Sequence, residues 1–199
     1  MYLTRCTVWQ YRRGGGRENA MQLKSVLMDE AAVRRTLRRM THEIIERDRE
    51  LSRVVLVGIR RRGVPLAQML ADNIREFEGV DLPVGYIDIT LYRDDLSQTS
   101  DMPVTKNSRI DCDITGKTVI LTDDVIYTGR TVRAAIEAVF SFGRPAAVQL
   151  AVLVDRGHRE LPLRPDFVGK NVPTSREEAI GVMVPEIDGA LRVELYTLA

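Results

Sequence analysis

Apolar side chains recur at two different spacings along the chain, and these spacings predict its elements. Between residues 29 and 47 they return every third or fourth position, which favours an amphipathic helix with Asp29 as its N-cap. The apolar stripe of this helix consists of Val33, Leu37, Met40 and Ile44. Helical spacing returns over residues 65–77 and 129–142.

Short apolar or alternating runs between these helices are typical of β-strands. They cover residues 53–58, 84–92, 118–122 and 148–154. This alternation predicts an α/β fold with a mostly parallel central sheet and helices on both of its faces. Segment 93–109 is polar and aperiodic, and a loop of that length in a compact domain is usually functional. The tail, 155–199, is richer in Pro and Gly, and we expect it to form a small hood over the end of the sheet.

The composition restricts the class of protein but does not indicate a particular function. The chain has 199 residues, 44% of them hydrophobic and 29% charged, as in a single globular domain. A net charge of +1 gives no global argument for a nucleic-acid or membrane partner. The apolar runs are too short to span a bilayer. Cys6 and Cys112 form neither a disulfide framework nor a metal-ligand spacing, which favours a reducing cytoplasm.

The first twenty residues differ from the rest of the chain. Four arginines surround the glycine run 14–16: Arg5, Arg12, Arg13 and Arg17. The segment has no apolar core of a secretory signal. We expect residues 1–20 to be a disordered extension and residues 21–199 to be a single domain beginning at Met21. A transit peptide or a nucleic-acid arm is the alternative.

The stretch VILTDDVIYTGRT, Val119 to Thr131, places two carboxylates and a Thr/Gly turn within nine residues. It lies where a strand ends and a helix begins, the usual ligand position in open α/β sheets. Backbone N–H groups of the turn attract phosphate, whereas the Asp123 and Asp124 carboxylates accept hydrogen bonds from hydroxyls. Neither a Walker loop nor a dinucleotide fingerprint is present. The stretch predicts a ligand with hydroxyls at one end and phosphate at the other, the alternative being a solvated strand end.

A second stretch, GIRRRGVPLA from Gly58 to Ala67, leaves another strand and enters a helix. Its glycines expose backbone N–H groups, and its arginines carry guanidinium forks suited to a diphosphate. A surface arginine run is the alternative, but the acidic and phosphate-binding stretch beside it favours the diphosphate.

The Val119–Thr131 pattern resembles the phosphoribosyl-pyrophosphate (PRPP) motif of type I phosphoribosyltransferases. Longer stretches are similar to one family of these enzymes, the bifunctional pyrimidine-operon attenuators and uracil phosphoribosyltransferases: RRTLRRMTHEI, DITLYRDDLS, LVDRGHRELP and GKNVPTS. The similarity covers residues 21–199. It implies the type I phosphoribosyltransferase fold, a central mostly parallel sheet flanked by helices, with a hood at roughly 155–199.

The resemblance also implies the chemistry: uracil and PRPP give UMP and diphosphate, with Mg²⁺ carried by the diphosphate and no direct protein ligand. Purine-specific relatives have an aspartate at the position of Tyr127, so a purine base is disfavoured. A mobile flap would include Tyr92, Arg93 and Asp94. The implied PRPP and UMP contacts are Arg61, Arg62, Asp123, Asp124, Val125, Ile126, Tyr127, Thr128, Gly129, Arg130, Thr131, Arg156 and Ile180.

Finally, the resemblance implies transcription attenuation through the leader mRNA of a pyrimidine operon, with binding strengthened by UMP or UTP, and assembly into a homodimer or tetramer. The implied RNA contacts are Arg34, Arg35, Arg38, Arg39, His42, His158, Arg159 and Arg164. A solvated helix face with the arginines paired to Glu43 and Glu46 is the alternative. A salvage enzyme without an RNA role is the competing function.

Overall fold

A computed structural model describes residues 10–11, 19–89 and 107–198. In chain order its strands are β1 (Gln10–Tyr11), β2 (Asn19–Met28), β3 (Val54–Ile59), β4 (Val84–Ile87), β5 (Thr118–Ile126), β6 (Ala147–Asp155), β7 (Phe167–Asn171), β8 (Glu178–Met183) and β9 (Arg192–Leu198). Its α-helices are α1 (Glu30–Arg47), α2 (Gly63–Glu78), α3 (Arg130–Phe140) and α4 (Pro185–Asp188).

The central sheet is parallel throughout, in the order β4-β3-β5-β6-β7. All six residues of β3 are buried, because helices cover both faces of the sheet. Successive side chains of a strand point to opposite faces. Leu56 and Ile120 therefore belong to one apolar core, and Val57 and Leu121 to the other.

Helices α1 and α2 cover the first core and α3 covers the second. The helix predicted from residue 29 is confirmed: α1 begins at Glu30, and Asp29 accepts a hydrogen bond from the Ala32 N–H at 2.8 Å. The four residues of the predicted stripe are all buried. Their burial against the sheet holds α1 with its arginine-bearing side outward.

A second sheet, antiparallel and in the order β1-β2-β9-β8, forms the hood together with α4. The hood differs from the one predicted at 155–199, because β7 belongs to the central sheet and the hood takes β2 from the N-terminal side. Strand β9 pairs through both of its edges, and such long-range partners leave no periodic signal in a sequence. Gln10 and Tyr11 pair with Ala20 and Asn19, a ladder where disorder was predicted.

In the part of the chain that the structure describes, no helix combines the length and the apolar character needed to cross a bilayer.

Candidate functional site

A cavity of about 750 Å³ lies at the carboxyl edge of the central sheet, under the hood. It is lined by the end of β5 and the turn that follows, by Arg62 and Arg156, and by strand β8 including Ile180. The structure therefore brings three separate predicted stretches to one place. Of the predicted PRPP and UMP contacts, Arg61 alone does not line the cavity.

The two carboxylates are held by the backbone of their own strand. Strand β5 extends through Asp123 and Asp124 to Ile126, four residues beyond its predicted end. One oxygen of Asp123 accepts the Asp124 N–H at 2.9 Å, and one oxygen of Asp124 accepts the Val125 N–H at 2.9 Å. Asp123 is buried, whereas Asp124 is half-buried at the cavity wall. These bonds fix each side chain without neutralising its charge.

The turn between β5 and α3 has the features of an anion site. Gly129 is the N-cap of α3 with φ of 91°, a left-handed conformation that glycine adopts without strain. Gly129 has no side chain with which to cap this helix, and Thr128 Oγ1 accepts the Arg130 N–H at 3.4 Å. The first backbone bond runs from the Arg133 N–H to the Gly129 carbonyl at 3.0 Å. The N–H groups before Arg133 thus have no partner within the helix. Such a terminus, with its dipole, favours a phosphate group.

The loop after β3 packs directly against β5. A Cβ atom at Gly63 would lie 2.2 Å from the Thr122 carbonyl oxygen, and one at Gly58 would lie 2.4 Å from the Val64 Cα. Both positions therefore require glycine for close packing. The Arg60–Arg61 peptide bond in this loop is cis. Arg61 is exposed and forms no ion pair with any of the residues described, whereas Arg62 pairs with Asp188 of α4.

Arg156 connects the turn between β5 and α3 to the hood. Its guanidinium lies 4.2 Å from the centre of the Tyr127 ring. It donates hydrogen bonds to Thr174 Oγ1 at 3.0 Å and to the Glu178 carbonyl at 2.7 Å. Glu178 begins β8, the strand that carries Ile180. Arg156 thereby fixes the position of Ile180 relative to the turn.

The arginine stripe lies outside the cavity, on the exposed side of α1. Its members are Arg34, Arg35, Arg38, Arg39 and His42. Three of them pair with carboxylates: Arg34 with Glu30, Arg38 with Glu76, and Arg39 with Glu43. The alternative in which these arginines pair with Glu43 and Glu46 is therefore confirmed for Glu43. These carboxylates lower the positive potential of the face.

Sequence reasoning missed the aromatic partner of this stripe. Phe77 of α2 stacks on the His42 ring, with 4.5 Å between ring centres and 5° between planes. The Arg38 guanidinium lies 4.4 Å from the centre of the same phenyl ring. Residues 65–77 were predicted as a helix from their spacing, and that spacing does not distinguish Phe77 at the edge of the helix from its core positions.

The second group of predicted RNA residues is divided. Arg164 is exposed, and His158 hydrogen-bonds the Thr174 carbonyl through Nε2. Arg159 is turned inward, and its guanidinium donates to the carbonyls of Tyr127 at 2.8 Å and Leu163 at 3.1 Å. It also pairs with Asp155, and only 19% of its side chain is exposed. Arg159 therefore positions the cavity wall.

The predicted flap residues Tyr92, Arg93 and Asp94 lie outside the described residues. Both ends of the loop that contains them are close together. The Asp88 N–H donates to Ser108 Oγ at 2.8 Å, and Tyr86 and Arg109 exchange backbone hydrogen bonds.

A family model described as "Phosphoribosyl transferase domain" matches residues 26–186. The "Bifunctional protein PyrR" of Clostridium perfringens is 58% identical over 176 residues, 88% of this chain and 99% of that protein. The protein of the same name from Acetivibrio thermocellus is 58% identical over 166 residues, 83% of this chain and 90% of that protein. The chain belongs to the PyrR family of phosphoribosyltransferases.

Solved phosphoribosyltransferase structures share the fold of this PyrR-family chain. The hypoxanthine phosphoribosyltransferase of Trypanosoma cruzi is similar with a TM-score of 0.68 and 18% identity, over 89% of this chain and 98% of that one. A hypoxanthine phosphoribosyltransferase from Staphylococcus aureus gives a TM-score of 0.65 at 19% identity, over 89% and 93%. At such identity the likeness concerns the fold alone. It confirms the predicted type I phosphoribosyltransferase fold.

Proposed function

We propose that this chain transfers the ribosyl 5-phosphate group of PRPP to uracil, and that a uridine nucleotide in the same cavity controls its binding to the leader mRNA of a pyrimidine operon. The observation that carries the enzymatic half is the placement of Asp123 and Asp124 beside the uncapped start of α3 in one cavity. One ribose 5-phosphate satisfies both groups. The names of the PyrR relatives support a bifunctional role.

Each part of the cavity has a separate task in this reaction. The carboxylates of Asp123 and Asp124 accept hydrogen bonds from the ribose hydroxyls, and the turn before Arg133 binds the 5′-phosphate. Arg62, which lines the cavity, and the exposed Arg61, which does not, stabilise the departing diphosphate. Uracil N1 attacks C1′ as the bond from C1′ to diphosphate breaks, C1′ carries positive charge in the transition state, and the proton of N1 leaves with the diphosphate. Catalysis of this kind depends on positioning and charge stabilisation, without a covalent nucleophile.

Magnesium fits this arrangement as a companion of the diphosphate. Mg²⁺ prefers oxygen ligands, keeps several waters and is commonly bound through substrate phosphates. Among the residues described, no group of three acidic, His or Cys side chains is placed to hold a metal ion. When bound, Mg²⁺ would neutralise negative charge on the departing diphosphate.

The base is proposed to bind between the turn and the hood. Tyr127 occupies the position where purine-specific relatives have an aspartate, and its ring lies under the Arg156 guanidinium. Tyrosine lacks the carboxylate with which an aspartate can take the N7 proton of a purine. The backbone of Ile180 is proposed to bind the edge of uracil, held in place by the hydrogen bond from Arg156 to Glu178.

The RNA-binding half is supported by the exposed side of α1. Its arginines suit phosphates, and the stacked His42 and Phe77 rings suit an unpaired base, since proteins recognise RNA loops by stacking and by phosphate contacts. The ion pairs to Glu30, Glu43 and Glu76 favour the second candidate, a uracil salvage enzyme without an RNA role.

One measurement tests the reaction that both candidates share, and a second measurement separates the candidates. Labelled uracil should become UMP only with PRPP and Mg²⁺ present, and Asp123→Asn with Asp124→Asn should lower the rate by about a hundredfold. Unchanged turnover in the double variant would exclude the proposed ribose site. A gel shift with the leader transcript should strengthen on addition of UMP or UTP. If the chain does not bind the RNA, or if uridine nucleotides do not change the binding, the salvage enzyme becomes the favoured candidate.

A further inference from the structure

Arg60 directly follows β3 and precedes Arg61, and the reaction proposed above assigns it no task. Its side chain contacts the end of the neighbouring strand β4. The guanidinium lies 4.6 Å from the centre of the Tyr86 ring, and Nη1 donates to Asp88 Oδ2 at 3.2 Å. The Arg60 N–H donates to the Ile87 carbonyl at 2.9 Å. Arg60 is therefore joined to three consecutive residues at the end of β4.

The end of β4 is itself held by the surrounding backbone. Tyr86 belongs to the parallel ladder with β3, and it exchanges backbone hydrogen bonds of 2.8 and 2.9 Å with Arg109. The Asp88 N–H donates to Ser108 Oγ at 2.8 Å. Only 14% of the Asp88 side chain is exposed, so water competes less for its carboxylate than in a surface ion pair. The groups that contact Arg60 are therefore fixed in position.

The three arginines of the loop after β3 have different partners. Arg60 binds the end of β4, and Arg62 pairs with Asp188 of the hood. Arg61, between them, is exposed and has no carboxylate partner within the part of the chain that the structure describes. The loop is thus anchored on both sides of Arg61, whose guanidinium keeps its donors for a ligand.

We propose that Arg60 is a positioning residue, which holds the backbone of this loop so that the Arg61 guanidinium faces the departing diphosphate. Arg60 is unsuited to binding the diphosphate itself, because its guanidinium lies on the Tyr86 ring and its charge is balanced by Asp88. The role matters for the rate, since negative charge develops on the diphosphate in the transition state and its binding groups must already be in place. This inference rests on the proposed function, because it assumes that diphosphate binds to the loop after β3.

Binding of diphosphate tests this role without depending on turnover. Dissociation constants for magnesium diphosphate and for UMP are measured by calorimetry for the wild type, Arg60→Gln and Arg60→Lys. Arg60→Gln should weaken the binding of diphosphate by about tenfold and lower kcat with PRPP by a similar factor, because a misplaced loop loses contacts with the leaving group. UMP carries no diphosphate, so its dissociation constant should remain that of the wild type. Arg60→Lys keeps the charge and can still pair with Asp88, so it should recover part of the loss.

A second variant separates positioning from direct contact. Tyr86→Leu removes the ring and leaves the charge of the site unchanged. If Arg60 acts through its contacts with β4, Tyr86→Leu should weaken the binding of diphosphate by about threefold, the scale of a partly exposed cation–π contact. The same change should add nothing in a variant that already carries Arg60→Gln. A direct contact between Arg60 and diphosphate predicts instead that Tyr86→Leu has no effect.

Arg53→Gln is the matched control, because Arg53 precedes the other end of β3 and also loses an ion pair and a hydrogen bond, to the Gly116 carbonyl at 2.8 Å. Its diphosphate affinity should equal that of the wild type. Unchanged diphosphate affinity in a folded Arg60→Gln variant would overturn the inference, and so would independent effects of Arg60→Gln and Tyr86→Leu or a wild type that binds no diphosphate. If Arg60→Gln does not fold, Arg60→Lys and Tyr86→Leu provide the same test. Failure of the proposed reaction is distinguishable, because it appears as absent UMP synthesis in a wild type that binds diphosphate.

Discussion

The guanidinium of Arg62 forms two parallel hydrogen bonds with the carboxylate of Asp188, from Nε at 3.0 Å and from Nη2 at 2.8 Å. Asp188 also accepts the Val184 N–H at 2.9 Å. Burial opposes the charge on Asp188, but these bonds outweigh it and lower the pKa of the carboxyl. An arginine assigned to diphosphate thus also joins the loop after β3 to the hood.

Replacing Arg62 by Ala should lower the free energy of unfolding by about 2 kcal/mol at pH 7, the cost of losing hydrogen bonds to a charged group. A lowered pKa contributes stability above the unfolded-state value, which is about 3.9 for aspartate. The difference between wild type and variant should therefore shrink as the pH falls below about 4. Urea unfolding at a series of pH values measures it.

Arg75→Ala is the matched control, because Arg75 forms only exposed pairs with Asp72 and Asp81. Its effect should stay below about 0.5 kcal/mol. Equal losses in the two variants would show that the Arg62–Asp188 pair has no special weight.

Gly129→Ala should distort the turn between β5 and α3, which is proposed to bind phosphate, and should also lower the stability of the fold. A left-handed conformation costs a residue with a Cβ atom about 1–2 kcal/mol. The Michaelis constant for PRPP should rise by about tenfold, because small shifts of a positioning loop are costly. Gly79 ends α2 with φ of 69° and no neighbour within 4 Å of an added Cβ. Gly79→Ala should therefore lower stability without changing the constant for PRPP.

Asp48 lies at the end of α1 with an oxygen that has no hydrogen-bond partner, and Gln149 has another, among the residues described. Burial raises the pKa of the Asp48 carboxyl. Asp48→Asn supplies an N–H for the Gln149 oxygen and should stabilise the protein by about 1 kcal/mol at pH 7. Calorimetry should show a melting temperature about 2–4 °C higher.

The sign of this effect follows from the direction of the pKa shift. The ionised carboxylate costs stability above the raised pKa of Asp48, and its protonation removes that cost as the pH falls. The advantage of the Asn variant should therefore decrease on acidification. A lower melting temperature at pH 7 would mean that Asp48 has a partner which the amide cannot replace.

Arg35 and Arg159 should respond differently to replacement by Gln. Arg35 is exposed on α1, so its loss should weaken the binding of leader RNA. The slope of the logarithm of the RNA-binding constant against the logarithm of the salt concentration should fall in magnitude by about 0.7–0.9. Arg159 binds carbonyls of the cavity wall, so its loss should lower stability and UMP synthesis instead. Gel shifts at several salt concentrations and the uracil assay measure both. If Arg159→Gln loses RNA binding but keeps its stability and UMP synthesis, Arg159 is an RNA contact.

Several elements could be predicted because their signal is local. The stripe from Val33 to Ile44 has one period and a good N-cap, so α1 begins one residue from its expected start. Strand β5 was predicted too short, because Asp123 and Asp124 are poor strand formers. Pairing on both sides, with β3 and β6, reaches Thr122, and pairing with β6 alone continues the strand from Asp123 to Ile126.

The sequence by itself determined the chemistry at the end of β5, since carboxylates, a glycine in the turn and the start of a helix are all contiguous in the chain. It also determined which sides of the helices are buried. Only the tertiary structure decided that Asp188 binds Arg62, that Arg159 faces inward and that β2 belongs to the hood. Each of these contacts joins residues that the chain keeps far apart or that local periodicity does not orient. These contacts stabilise the protein only after the surrounding helices and strands have packed, because packing removes the water that competes for the same polar groups.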